Sequence, residues 1–466
     1  MPVPSCLAGA ARVDITPAWP VMQGGFGQRT TPSEGVLDRI HAKALYLRGA
    51  GAAGDALLLV TADLIAMPRQ LAQPVLDEIT RATGLEPRQV CICASHTHSG
   101  PVPFDAGGAP GVAEYSAFLR AALVDVAQRA IAAAQPARLG SGVGSVDLFL
   151  NRRTRGAPNR VDPRVAVLRA CALDDGRDIA VLFGVGCHPV TLGWDNMRIS
   201  GDFPGVAQHV VEDALDGAVA LFFNSTEGNV IPVTSPNLDA LDPRGYHGGS
   251  HEDAVRIGTA VASEVLRVLP GLALTATAEV GSARRELSLP ARNAAFDLEA
   301  ARTRLARADA VLASELGDDF RARSGGYLWA LASRHVLAAD CSEDDMRRLM
   351  IACCEHLGLT ARVAHGKALP PASVPVQVLR MHALELLALP GEVLVEVGQA
   401  WSAIAGHDRA FIVGLANAHL RYLPAASHFA EPEAGVRYET VTAGLEAGGV
   451  ERALDAAGSM LAEVRA

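Results

Sequence analysis

Short uninterrupted apolar runs alternate along this chain with stretches whose apolar residues recur every three or four positions. Leu57 to Val60 with its continuation Thr61-Ala62-Asp63-Leu64-Ile65, then Val90 to Cys93, Asp178 to Gly186 and Ala218 to Phe223, read as buried strands. Arg12 to Pro17 reads as a short strand ended by proline, and further strands are expected at Val376 to Arg380 and Ala383 to Leu389. Helical spacing predicts one helix from about Gln70 to Thr83. A second covers Ala113 to Ala134, with Leu119, Ala122, Leu123, Val126 and Ala130 on one side. A third carries Ala254, Ile257, Val261, Val265 and Val268 and is closed by Pro270-Gly271. Ala294 to Leu316 predicts another, and Ser342-Glu343-Asp344-Asp345 reads as the capping box of one running to about Leu357. The order of elements predicts an α/β fold of mixed sheet layers with flanking helices. It is expected to be a single domain over 1–466 with a helical insertion at about 294–358.

Polar residues collect where the predicted strands stop. Val90 to Cys93 runs into Ala94-Ser95-His96-Thr97-His98-Ser99-Gly100-Pro101. Side chains two apart on an extended chain share a face, so His96 and His98 can point into one cleft, whereas on a helix they would diverge. Asp178 to Gly186 leads to His188-Pro189, and Ala218 to Phe223 leads to Asn224-Ser225-Thr226-Glu227-Gly228-Asn229. Open α/β sheets gather their sites at such strand ends. Each candidate also has a plain structural reading. His188 can be a hydrogen-bonded core histidine, Tyr422 a packing residue, and Glu392 a carboxylate favoured by the positive end of a helix carrying Leu394, Val397, Trp401 and Ile404. Asp202 is expected to cap a helix beginning near Pro204 rather than to orient a site. Asp63 can support a ligand or satisfy backbone donors.

Composition narrows the function classes. The 466 residues are 49% hydrophobic and 20% charged with a net charge of -10, and lysine occurs only at Lys43 and Lys367. With no basic block, nucleic acid is not an expected partner. No stretch approaches the roughly 20 apolar residues of a membrane span. The segment Met1-Pro2-Val3-Pro4-Ser5-Cys6 lacks the layout of a secretory signal. Eight cysteines, several inside apolar runs and none in a Cys-x-x-Cys pair, suggest reduced core thiols and a cytoplasmic location.

Taken in order, five segments resemble the neutral/alkaline ceramidase family. They are Arg12-Val13-Asp14-Ile15-Thr16-Pro17; Ser95 to Pro101; His188-Pro189-Val190 with Ser200-Gly201-Asp202; Pro390-Gly391-Glu392; and Asn417-Ala418-His419-Leu420-Arg421-Tyr422. The resemblance implies a catalytic zinc held by His96, His188, Glu392 and Tyr422, with His98 beside it to handle protons or hydrogen-bond the intermediate. It further implies Arg152, or Arg153 in its place, and Tyr438 as contacts to a small-molecule N-acyl substrate. The implied reaction is hydrolysis of an amide by metal-activated water. An esterase or lactonase would use the same attack, and a silent ligand-binding protein of the same fold is the non-enzyme alternative. The chain departs from the family at Gly228-Asn229-Val230-Ile231-Pro232, where an acid and a serine are replaced. His419 stands where the family usually has an aromatic residue; it can add a donor near the metal, but is expected rather to be a surface or packing histidine. The chain is also expected to lack the family's C-terminal sandwich domain.

Overall fold

The computed structural model describes residues 6–50, 55–103, 111–153, 160–235, 249–292, 297–322, 326–339, 341–366, 370–431, 434 and 437–466. Residues 1–5 of the N-terminal segment and the expected helix start at Ala294 lie outside them. The apolar runs form two sheets. The larger comprises β1 (Cys6–Asp14), β2 (His41–Arg48), β3 (Ala56–Ala62), β4 (Val90–Ala94), β5 (Gln135–Ser145), β6 (Arg164–Ala172), β7 (Asp178–Val185) and β8 (Val219–Asn224), in the order β8-β7-β6-β5-β1-β2-β3-β4. Its interior pairs are antiparallel, while β3–β4 and β7–β8 at the two edges are parallel.

Four helices back this sheet: α1 (Arg69–Thr83), α2 (Val112–Ala132), α3 (Asp202–Ala214) and α4 (His251–Val268). A parallel pair needs a crossover, and α1 supplies it between β3 and β4 as α3 does between β7 and β8. Strand twist of about 20–25° per neighbour accumulates across the sheet and brings its edges round toward each other. Lys43 on β2 therefore reaches Ala220 O on β8 at 2.8 Å, and Asn224 at the end of β8 donates to Ser95 O, just past β4, at 2.9 Å.

The smaller sheet, β9 (Val280–Leu289), β10 (Ala372–Met381), β11 (Leu384–Ala388) and β12 (Ala410–Val413), is ordered β9-β10-β11-β12 and packs on the inner face of the larger one. Cys91, Cys93, Leu168, Leu182 and Phe223 meet Leu379, Leu386, Phe411 and Val413 between the sheets. The alternate residues Val90, Ile92, Val181 and Phe222 face the helices. Burial on both faces is why these strands read as continuous apolar runs. Each such buried Leu or Phe contributes on the order of 1.5–3 kcal/mol. The eight cysteines are all unpaired.

Between β9 and β10 lie α5 (Leu298–Leu316), α6 (Gly326–Ala338) and α7 (Glu343–His365), gathered on an apolar cluster of their own that includes Leu312, Phe320, Leu328, Met346, Met350 and Cys353. Ser342 Oγ accepts from Asp345 N at 3.1 Å, the expected cap of α7. The helix runs past Leu357 to His365 because Gly358 alone is too weak a breaker to stop it. Helix α6 was not expected, although Leu328, Ala332 and Val336 recur at helical spacing.

The outer face of the smaller sheet is covered by α8 (Val395–Ala405) and α9 (Gly449–Arg465). Trp401 is fully buried there, but Ile404 is 41% exposed and does not share its face as expected. Glu385 at the start of β11 accepts from Arg465 Nε on α9 and from His407 Nε2, both at 2.7 Å. Burial opposes this carboxylate, yet the bonds from Arg465 and His407 outweigh it and hold it below the usual range. A depressed folded-state value means that the contribution is present above the unfolded value of about 4.3 and is lost as pH falls through the folded value. Arg465 is half in water, so Glu385→Gln is expected to cost about 1 kcal/mol at pH 7. Urea melts should show that gap closing at acid pH; an unchanged gap would mean the effect is packing. No helix among the described residues is long and apolar enough to cross a membrane.

Candidate metal centre

Beyond β4 the backbone turns sharply. Ser95 N and His96 N donate to Ala62 O and Leu64 O, both at 2.9 Å, and His96 adopts the left-handed region at φ 72°. For a residue other than glycine this conformation is strained, and such strain concentrates at functional sites. It also corrects the extended geometry expected for Ser95 to His98: the two imidazoles meet because the chain turns at His96, with ring centroids 4.8 Å apart. His96 Nδ1 faces Ile65 O at 2.6 Å, which places the proton on Nδ1 and leaves Nε2 with its lone pair directed inward. His188, past the end of β7, repeats the device with Glu227 O at 2.6 Å from its Nδ1. Fixing the far ring nitrogen on a carbonyl is how proteins orient imidazoles toward a metal.

Glu392 and Tyr422 come from a two-residue parallel pairing, Glu392–Val393 with Tyr422–Leu423, in which they are direct partners. Glu392 Oε2 lies 3.5 Å from His96 Nε2 and 3.3 Å from His188 Nε2, and Tyr422 Oη lies 3.3 Å from His188 Nε2. His96, His188, Glu392 and Tyr422 are each at most 6% exposed. In a tetrahedron with bonds of about 2.0–2.1 Å the edge is about 3.3–3.4 Å, so these three separations match edges between donors around a zinc-sized ion. His96, His98 and His188 offer nitrogen atoms that all lie within 4.8 Å of one another, a group able to hold a metal ion.

The charge states agree with this picture. Burial opposes the Glu392 carboxylate, but His96, His188 and His419 more than compensate and hold it well below the usual range. Burial, then Arg152, pushes His188 down to about 4, so it is neutral at pH 7. Burial, then the neighbouring Glu392, raises the Tyr422 hydroxyl well above its ordinary value. His98 differs from the other two histidines. Its Nε2 is 3.3 Å from His96 Nε2, but its Nδ1 has no hydrogen-bond partner among the described residues, so no carbonyl there fixes its tautomer. The ring packs edge-on against Phe26 at 4.8 Å and over Gly25, where a Cβ would stand 2.5 Å from His98 Cγ.

Arg152, not Arg153, turns toward the centre. Its Nη2 donates to Tyr422 Oη at 3.0 Å and to Gly228 O at 2.7 Å, and its Nε pairs with Glu439 Oε1 at 2.9 Å. Arg153 instead pairs with Glu431 and Glu439. Tyr438 stands edge-on to Tyr422 at 5.4 Å and also touches the apolar cluster of α5 to α7.

The readings of Asp202 and His419 change, and for Asp63 the structure shows the second of its two alternatives, a carboxylate that satisfies a backbone donor. Asp202 is not simply a cap: it opens α3 at φ 53°, and its buried carboxylate accepts from Thr191 Oγ1, from Leu192 N at 3.1 Å and from Phe203 N at 2.6 Å, tying down the loop after His188. Asp63 touches no site histidine; it accepts from His41 N at 2.9 Å and Gln208 Nε2 at 3.0 Å, while backbone carbonyls do the orienting. His419 is neither a surface nor a packing residue, since its Nε2 lies 3.4 Å from Glu392 Oε1.

At the departure from the family pattern, Asn229 spans two elements, accepting from Val395 N at 3.0 Å and donating to Glu396 at 3.1 Å. Ile231 is buried with Phe26 and Val190. Glu227 was missed. It is fully buried, and neither carboxyl oxygen has a hydrogen-bond partner among the described residues. Burial, then Glu392, raises it well above the usual range. Its position in the polar tail of β8 was the only signal.

No family model matches the chain. It is 24% identical over 468 residues to the neutral ceramidase of Mycobacterium tuberculosis, covering 89% of this chain and 70% of that protein. It is also 24% identical over 478 residues to the neutral ceramidase of Pseudomonas aeruginosa, covering 91% and 68%. The crystal structure of the Pseudomonas aeruginosa neutral ceramidase superposes with a TM-score of 0.71 at 20% identity, over 99% of this chain and 75% of that one. A ceramidase complexed with C2 gives the same values.

Proposed function

We propose that this chain, a relative of the neutral ceramidases that shares their fold, hydrolyses the amide bond of an N-acyl lipid with zinc held by His96, His188, Glu392 and Tyr422. The observation that carries the reading is the 3.3–3.5 Å spacing of these donor atoms, with both ligand histidines locked from behind by carbonyls. When bound, zinc lowers the pKa of water to roughly 7 and polarises a carbonyl oxygen. The chain's own groups supply the rest. Neutral His98, with no fixed tautomer, takes the proton of the attacking water and returns it to the departing amine as the C–N bond breaks, leaving a carboxylic acid and an amine. Arg152 holds the Tyr422 hydroxyl in place, and Tyr438 stands edge-on to the same ring. Phe26, Val190 and Ile231, packed together next to His98, support an apolar acyl group rather than a polar one.

Elemental analysis of protein purified without added metal is expected to give about one zinc per chain. Release of fatty acid from N-acyl sphingoid bases and simpler N-acyl amines should stop with chelator and return with zinc. A metal-free preparation hydrolysing these amides at the full rate would sink the proposal.

A further inference from the structure

Glu392 turns its two carboxylate oxygens to different neighbours, three histidines in all. Oε2 faces His96 and His188, whereas Oε1 faces the Nε2 of His419 at 3.4 Å. His419 is carried by a loop built to hold it there. Leu415, Asn417 and Arg421 all adopt left-handed backbone at φ 54–62°. The loop is strapped to the turn that bears Glu392: Ala416 N donates to Leu389 O at 3.0 Å, Leu415 N to Gly391 O at 3.0 Å and Leu420 N to Pro390 O at 2.6 Å, and Glu392 N returns a bond to Arg421 O at 2.9 Å. Asn417 anchors the far side, donating from its backbone to Ile92 O at 2.7 Å and accepting from Ile92 N at 3.1 Å. Three strained residues within seven positions, two paired to that turn and the third to β4, mean that His419 and Glu392 are presented as one rigid unit.

We propose that His419 is a positioning residue that holds Glu392 Oε1 and so commits Oε2 alone to the metal. The inference rests on the reading of this site as a metal centre. Without a donor at Oε1 the carboxylate can rotate about its last bond and lose its aim. Removal of a group that orients a ligand typically costs about 10- to 100-fold in metal affinity.

The test is zinc affinity by chelator competition for the wild-type chain, His419→Phe and His419→Gln, with thermal melting of each apo protein. Phenylalanine fills the space without a donor, and glutamine restores an N–H near the Nε2 position. His419→Phe is expected to bind zinc about 10- to 100-fold more weakly with an unchanged apo melting temperature, and His419→Gln to return to within about threefold of wild type. Wild-type affinity in His419→Phe, or glutamine no better than phenylalanine, would overturn the positioning role while leaving the metal centre intact. A wild-type chain that binds no zinc overturns both.

Discussion

His188→Ala is expected to empty the centre of metal and to lower amide hydrolysis by at least about 10³-fold, since zinc loses one of its few protein donors and with it the activation of water. The geometry says why no neighbour can replace the imidazole. His188 is where three parts of the site meet: Nε2 touches Glu392 Oε2 and Tyr422 Oη at 3.3 Å, while Nδ1 is tied to Glu227 O at 2.6 Å. An alanine leaves Glu392 Oε2 and Tyr422 Oη without the imidazole that both of them touch. His96→Ala should behave alike. Metal content after gel filtration, followed by hydrolysis of the same N-acyl amides, checks both. Full metal and full rate in either variant would mean that the centre is built from other residues.

The same site shows what the sequence could and could not reveal. The strands were legible because a strand buried between a second sheet and a helical layer has no polar face, and Val90 to Cys93 or Asp178 to Gly186 can hardly be read otherwise. Which sheet each strand joins was not legible, since β9 to β12 pair with one another and nothing local in their sequence says that they cover the inner face of the larger sheet. Tyr422 on its own read as a packing residue and was singled out only by the family resemblance, whereas the histidines and Glu392 stood out as polar residues at strand ends. What aims them did not, because Ile65 and Glu227 act through backbone carbonyls, which carry no side-chain signature. The left-handed turn at His96 is hidden for the same reason: a histidine there looks like any other. Asp202 and His419 were misjudged because their partners, Thr191 and Leu192 for one and Glu392 for the other, are brought to them only by folding.

His98→Ala separates chemistry from metal binding and is expected to keep about one zinc per chain while losing about 10²- to 10⁴-fold in turnover. Two features set His98 apart from the histidines proposed as ligands. Its Nδ1 has no hydrogen-bond partner among the described residues, so no carbonyl there orients it in the way the ligand histidines are oriented. Burial, then the neighbouring His96 and His188, pushes it well below the ordinary histidine value. A base with a lowered value is unprotonated throughout pH 6–8, so activity limited by His98 should stay flat through pH 6.5 and fall only in more acidic solution. Gly25 gives an independent handle, because a Cβ there would sit 2.5 Å from His98 Cγ at a backbone φ of 93°. Gly25→Ala must therefore push the imidazole away, and it should reproduce the loss of turnover with zinc retained and His98 itself unaltered. If His98→Ala instead loses its zinc, His98 is a ligand, and one of Glu392 and Tyr422 is the residue that moves protons or holds the substrate.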